Sequence, residues 1–166
     1  MTEFDPVRDR VTEALELRYG TADDPEGPVG LPPVESGLDV VLASLLRVRK
    51  RLDRVEELLS TLIRVRGRYR VSAEVIEAQY QQAWDEALTS DPRLQAREFV
   101  APREKYAHAD LAAFTQKRTL LKAKDSLAQI EDGGEQVRLA HKGLDSLRYD
   151  HVVLIRAATV MSSLEG

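Results

Sequence analysis

The stretch from about Leu38 to Leu88 constrains the fold most, because its apolar residues recur at alternating intervals of three and four. This 3.5-residue repeat is typical of a long helix that packs against other helices along its length. Arg66 is its one charged member, and Gly67 beside it leaves open a kink or a turn near residues 66–72. The repeat consists of Leu38, Val41, Leu45, Val48, Leu52, Val55, Leu59, Leu62, Arg66, Tyr69, Ala73, Ile76, Tyr80, Ala83 and Ala87.

A shorter helix is predicted before this stretch. Asp5 followed by Pro6 is a favourable helix start, with Asp as the N-cap and Pro at the first helical position. We expect an apolar stripe that ends before Gly20 and is formed by Val7, Val11, Leu15 and Tyr19. The residues from 21 to 35 are rich in proline and glycine, which predicts a linker.

The C-terminal part is also patterned as helix. Pro92 predicts a stop after the long helix, and the residues up to Pro102 read as a connector. Helical patterning resumes with Tyr106, Leu111, Phe114, Leu121 and Ala128. Gly133 and Gly134 predict an interruption. A last helix is indicated by Val137, Ala140, Leu144, Leu147, His151, Leu154, Ala158 and Met161.

These patterns predict an all-α protein, with a long heptad-patterned helix and a C-terminal helical hairpin or bundle. Three parts are expected: a short acidic amphipathic helix over 1–20, a flexible linker over 21–35, and a coiled-coil oligomerisation and binding domain over 36–166. Because heptads require partners, we expect a homo-oligomer. The start of the chain lacks the features of a signal peptide and no apolar run approaches the roughly 20 residues that span a bilayer, so we expect no membrane partner.

Motifs for chemistry are missing from the sequence. The chain has no cysteine, and its histidines form no HExxH pair. His141 and Asp145 are spaced to pair on a helix surface, and His151 falls on the apolar seam, where a hydrogen-bonded core histidine is the usual occupant. We therefore expect no enzyme, with no catalytic residue, no metal and no cofactor.

The net charge of −4 is unevenly distributed. Residues 1–35 hold nine acidic and three basic side chains, whereas residues 47–70 hold nine basic and three acidic ones. Such blocks indicate an anionic partner for the basic segment, and the acidic segment could occupy the same surface.

The basic segment has two interpretations. Its side chains could neutralise the phosphates of a nucleic acid, and Tyr69 could stack on a base of a single strand. Alternatively, they form a solvated coiled-coil flank and pair with acidic residues of neighbouring helices. On a helix, Arg47, Lys50, Arg51 and Arg54 share one outward side. The candidate nucleic-acid-binding residues are Arg47, Arg49, Lys50, Arg51, Arg54, Arg64, Arg66, Arg68, Tyr69 and Arg70.

Residues 106–160 resemble the UvsY family of phage recombination mediators. The similarity rests on YAHADLAAFTQKRTLLKAKDSL, a spacer of about twenty residues, and LDSLRYDHVVLI. Within these segments the matching residues are Tyr106, Leu121, Lys122, Asp125, Ser126, Leu127 and Arg148. The basic helix before them, with its aromatic residues, is also similar to the DNA-binding helix of the family.

The resemblance implies an oligomeric, single-stranded-DNA-binding mediator that loads a RecA-like recombinase onto strands coated by single-strand-binding protein. We therefore expect a cytoplasmic protein of a bacterial or phage-infected cell. The alternative is a structural or interaction coiled-coil protein, such as a virion assembly, scaffold or adaptor component, without nucleic-acid affinity. A third hypothesis is a regulator whose N-terminal helix docks in a partner's groove.

Overall fold

A computed structural model describes residues 5–20, 30–90 and 111–164. These residues form three helices, α1 (Asp5–Tyr19), α2 (Leu38–Ser90) and α3 (Leu111–Leu164), and the described ranges contain no strand. The all-α prediction is confirmed. Pro92, the connector up to Pro102 and Tyr106 lie outside the described residues. None of the three helices, as far as they are described, is both long and apolar enough to cross a membrane.

The contacts divide the chain into two compact units. Unit 1 comprises residues 1–63 and 132–166, and unit 2 comprises residues 64–131. Unit 1 therefore contains α1, the first part of α2 and the last part of α3, whereas unit 2 contains the remainder of α2 and α3.

Three helices pack together in unit 1. The first part of α2 runs antiparallel to the last part of α3, because Ser44 contacts His151 and Glu56 contacts His141. On its other flank, α2 contacts α1. This contact is antiparallel too, since Glu13 meets Arg54 while Leu17 meets Arg51.

The predicted heptad positions of α2 in unit 1 form its core side. Val41, Val48, Leu52, Val55 and Leu62 are buried, whereas Leu38 at the start of the helix is exposed. A second buried row, which the heptads do not include, consists of Ser44, Arg51 and Leu58 at intervals of seven. Two seam positions per heptad suffice for one neighbouring helix, and the second row provides the wider face that a third helix requires.

The contact face of α1 differs from the predicted stripe. Val7 and Ala14 are buried, while Leu15 and Tyr19 are exposed, so the prediction is wrong for its C-terminal half. Ala14 was missed because alanine is too small to stand out in an apolar pattern, although its side chain is fully buried. The end of α1 was predicted correctly: Gly20 has a φ of 80°, which favours glycine, and its N–H donates to the Glu16 carbonyl.

The interruption predicted at Gly133 and Gly134 is absent, because α3 continues through both residues. A Cβ at Gly133 would lie 3.0 Å from Cγ2 of Val11 and 3.2 Å from Cγ1 of Val7. The Arg18 side chain lies against Gly143 in the same way. Glycine is used here for close approach of α1 to α3 rather than to end a helix.

The described residues of unit 2 form two antiparallel helical segments. Lys124 pairs with Glu77 at 2.8 Å, and Ala87 packs against Ala113 beside the half-buried Trp84 and Leu88. Ala73, Leu120 and Ile130 are also buried. Phe114 and Leu121, which carry the helical pattern in the sequence, are exposed, whereas the neighbouring residues Ala113 and Leu120 are buried. There is no turn at residues 66–72, where α2 remains helical.

Candidate nucleic-acid interface

The ten candidate residues are divided equally between the two units. Arg47, Arg49, Lys50, Arg51 and Arg54 belong to unit 1, and Arg64, Arg66, Arg68, Tyr69 and Arg70 belong to unit 2. All ten are carried by α2. Each group is therefore described within its own unit.

Arg51 does not face outward, which corrects the prediction for this residue. Only 7 % of its surface is exposed, and its Nη1 donates to the Leu17 carbonyl oxygen at 3.3 Å. Leu17 lies in the last turn of α1, where carbonyl groups lack partners within the helix and carry partial negative charge. Arg51 thus satisfies the C-terminal end of α1.

Arg54 is held by two carboxylates. Its Nε donates to Glu13 of α1 at 2.6 Å, and its Nη1 donates to Glu57 of α2 at 2.8 Å. The hydrogen bond that Arg54 donates to Glu13, followed by the one that it donates to Glu57, raises the pKa of the Arg54 guanidinium above its usual value. In this structure α1 thus contacts two residues of the basic segment, Arg51 through a backbone carbonyl and Arg54 through a carboxylate.

The other basic residues of unit 1 differ in their surroundings. Arg47 is half-buried and makes contacts of its own. Arg49 and Lys50 are exposed and form no ion pair within the described part of the chain. By helical spacing Lys50 shares a side of α2 with Arg47 and Arg54, whereas Arg49 points to another side. Arg49 and Lys50 are thus available to an anion in this structure.

In unit 2, the arginines do not form one cluster. Because α2 is helical throughout this stretch, Arg64, Arg66, Arg68 and Arg70 fan around its axis at intervals of two residues. Arg70 pairs with Glu74 at 3.1 Å, and Arg64 has contacts of its own. Arg66 and Arg68 form no ion pair with any residue that the structure describes.

The aromatic side chains of α2 contribute to packing. Tyr69 is half-buried at a heptad position and makes contacts there. Tyr80 and Trp84 have ring centroids 6.0 Å apart at an interplanar angle of 54°, and Trp84 packs against the Ala87–Ala113 contact. In this structure these rings are partly covered and do not form an open stacking platform.

A buried serine–histidine pair was only half predicted. His151 is fully buried on the apolar seam and hydrogen-bonded, as expected, but its partner Ser44 was not foreseen. Nδ1–H donates to the Leu147 carbonyl at 2.7 Å, which leaves Nε2 to accept the Ser44 hydroxyl proton at 2.8 Å. A serine beside an imidazole can act as a nucleophile, but here both groups are buried between helices, so the arrangement serves packing.

His141 pairs differently from the prediction. Its Nε2 lies 3.1 Å from Glu56 of α2, while Asp145 pairs with Arg148 on α3. Helical spacing could suggest only Asp145 as the partner of His141, because Glu56 is distant in the chain. Within the described ranges, no three histidine or acidic side chains are grouped as metal ligands.

An open groove of about 790 Å³ lies between the helices of unit 2. Its lining includes Gln79, Gln82, Glu86 and Gln116, and none of the ten candidate residues. Neutral amides and a carboxylate do not favour phosphate, so the groove adds nothing to the candidate interface.

Comparison of the chain with protein-family models, with curated proteins and with solved structures finds no match.

Proposed function

We propose that this protein is a single-stranded-DNA-binding accessory factor of recombination that acts as a homo-oligomer. The observation that carries the proposal is that four of the nine basic candidate residues have no carboxylate partner in the described structure, namely Arg49 and Lys50 in unit 1 and Arg66 and Arg68 in unit 2. Such cations persist in a chain of net charge −4, although acidic side chains are plentiful. Unpaired arginine and lysine on a helix are suited to phosphate.

The proposed binding is to the backbone and therefore independent of base sequence. Arginine and lysine would displace the counterions of the strand, so affinity would fall as salt rises. Tyr69 is the candidate for stacking on a base, which requires it to become more exposed than it is in this structure. The C-terminal resemblance supports a RecA-like recombinase and single-strand-binding protein as further partners, a bacterial or phage-infected cytoplasm as the setting, and a role in assembly rather than catalysis.

The first test is fluorescence anisotropy of a labelled oligothymidine with the full-length protein at about 50 mM salt. We expect saturable binding that is largely lost at about 200 mM salt, because counterion release drives it. No binding at the lower salt concentration would refute the proposal.

A variant pair separates a local effect from one of net charge. Replacing Arg49 and Lys50 together by alanine removes two exposed positive charges of α2 from unit 1. Replacing Lys142 and Arg156 by alanine removes two exposed positive charges of α3 from the same unit. We expect the first variant to bind the oligonucleotide several-fold more weakly than the second. Equal losses would indicate that only overall charge matters.

Exposed apolar side chains support the alternative, a structural or interaction protein. In unit 1, Leu42 and Leu46 lie one turn apart on α2, and both are exposed, as are Tyr149 and Val153 of α3. Apolar residues in such numbers on one unit are typical of surfaces that associate. This alternative predicts a concentration-dependent mass by sedimentation together with no affinity for the oligonucleotide.

A further inference from the structure

The contact between α1 and α2 engages two of the candidate nucleic-acid-binding residues, Arg51 and Arg54. Glu13 occupies Nε of Arg54, and the Leu17 carbonyl occupies Nη1 of Arg51. A carboxylate and a helix C-terminus are both negative groups, as a phosphate is. The N-terminal helix thus presents to these two arginines the same chemistry that a nucleic-acid strand would present.

The attachment of α1 to the rest of unit 1 is limited. Among its apolar side chains, Val7 and Ala14 are buried, whereas Leu15 and Tyr19 remain exposed. An isolated helix of 15 residues is marginal in water, so α1 depends on this small contact and on its charged contacts. Elements with few buried apolar contacts are the ones that open locally without global unfolding.

The connection of α1 to α2 is 18 residues long. Residues 20–37 join the two helices, and four prolines and four glycines lie among them. Because Ser44–His151 and Glu56–His141 join α2 to α3 directly, α1 can leave its site while α2 and α3 remain packed.

We propose that α1 is a displaceable cover of Arg51 and Arg54, and that the phosphates of a single strand compete with Glu13 and the Leu17 carbonyl for these arginines. The inference rests on the proposed function and concerns the regulation of that same surface. Without DNA, α1 occupies the site. The apparent affinity for DNA is then the intrinsic affinity multiplied by the fraction of molecules in which α1 has left the site. With DNA bound, α1 is released and is free to contact another protein.

A disulfide lock in the full chain tests the proposal. The chain has no cysteine, so Val11→Cys together with Gly133→Cys introduces the only two thiols. A Cβ at Gly133 lies 3.0 Å from Cγ2 of Val11, the atom that the first substitution removes, which places the two Cβ atoms near the separation that a disulfide requires. Oxidation fixes α1 in place, and reduction releases it in the same molecule.

The readout is anisotropy of labelled oligothymidine with the oxidised and the reduced form, with reductant added to the wild-type protein as a control. We expect the oxidised form to bind at least about fivefold more weakly, the lower end of common coupling effects. Its salt dependence should also be shallower, because two phosphate contacts are blocked. Equal binding by the two forms would overturn the cover and leave the proposed function intact. No binding by either form or by the wild-type protein would overturn both.

A second variant pair applies if the lock does not fold. Glu13→Lys removes the partner of Arg54 and adds a like charge beside it, whereas Glu16→Lys makes the same change of net charge at an exposed position of α1. We expect the Glu13 variant to bind the oligonucleotide several-fold more tightly than the Glu16 variant. Equal affinities would show that α1 does not compete for the site.

Discussion

Two adjacent glycines of α3 have different roles at the residue scale. A Cβ at Gly133 would crowd Val7 and Val11, whereas a Cβ at Gly134 would meet nothing within 4 Å. Glycine inside a helix costs roughly 1 kcal/mol relative to alanine. At Gly133 that cost is offset by the close approach of α1, and at Gly134 no such compensation is visible.

Alanine substitutions should separate these roles. Gly134→Ala is expected to raise the free energy of unfolding by about 0.8–1 kcal/mol, because helix propensity improves at no steric cost. Gly133→Ala makes the same local gain but forces the valines of α1 to shift, at a cost of about 1–3 kcal/mol. Urea unfolding followed by circular dichroism measures both. Equal stabilisation of the two variants would contradict the packing of α1 on Gly133.

The Ser44–His151 pair leads to a second prediction. Ser44→Ala leaves the buried Nε2 of His151 without its donor, so the free energy of unfolding should fall by about 1–3 kcal/mol. Ser72 is exposed on the same helix, and Ser72→Ala should change stability by less than about 0.5 kcal/mol. A loss of the same size in both variants would mean that the buried hydrogen bond contributes nothing specific.

At the scale of elements, α2 shows what sequence patterning could and could not predict. Its heptad positions predicted both the helix and most of its buried residues, because the spacing of apolar residues shows which side of a helix packs against another helix. The second row of Ser44, Arg51 and Leu58 was not predicted, since its partners lie far away in the chain: Ser44 bonds to His151 of α3, and Arg51 bonds to Leu17 of α1.

The same limit applies to α3 and to the candidate site. Phe114 and Leu121 carry the helical pattern in the sequence, yet their neighbours Ala113 and Leu120 are the buried residues, so the pattern indicated the helix but not its buried side. The basic residues themselves were visible in the sequence. The hydrogen bond from Arg51 to the Leu17 carbonyl was not, because every residue has a backbone carbonyl and the sequence does not show which one a side chain will meet.

Arg51 should determine how firmly α1 is held. Arg51→Ala removes a charge-assisted hydrogen bond at the end of α1, an interaction of about 1.5–3 kcal/mol. The amides of α1 should then exchange with solvent roughly 10–100-fold faster, while those of α3 in unit 1 keep their protection. Lys50→Ala, which removes an exposed charge next to it, is the matched control. Unchanged exchange in α1 would show that Arg51 is not its anchor.

Charge is the property that matters at the scale of the whole molecule. The excess of acidic residues before residue 36 and of basic residues over 47–70 would cancel if every pair formed, yet two basic residues of the 47–70 segment in each unit have no ion pair in the described structure. The two units can therefore be tested separately for their contribution to anion binding.

Salt titrations provide that test. For a single strand, each phosphate contact contributes about 0.7 to the slope of log affinity against log salt. Replacing Arg49 and Lys50 by alanine should lower the slope by about 1.4, as should replacing Arg66 and Arg68, and the four substitutions together should lower it by about 2.8. A slope that changes with only one pair would assign the phosphate contacts to one unit.

The contacts of α1 also give its site a polarity. Arg51 meets a carbonyl near the end of the helix, and Arg54 meets a side chain one turn earlier. A helix entering in the opposite direction would turn its N–H groups, which are donors, toward the guanidinium of Arg51, and two donors repel. The site therefore distinguishes the C-terminal end of a helix from its N-terminal end. A competing peptide with the composition of α1 but the reversed order of residues should fail to replace α1.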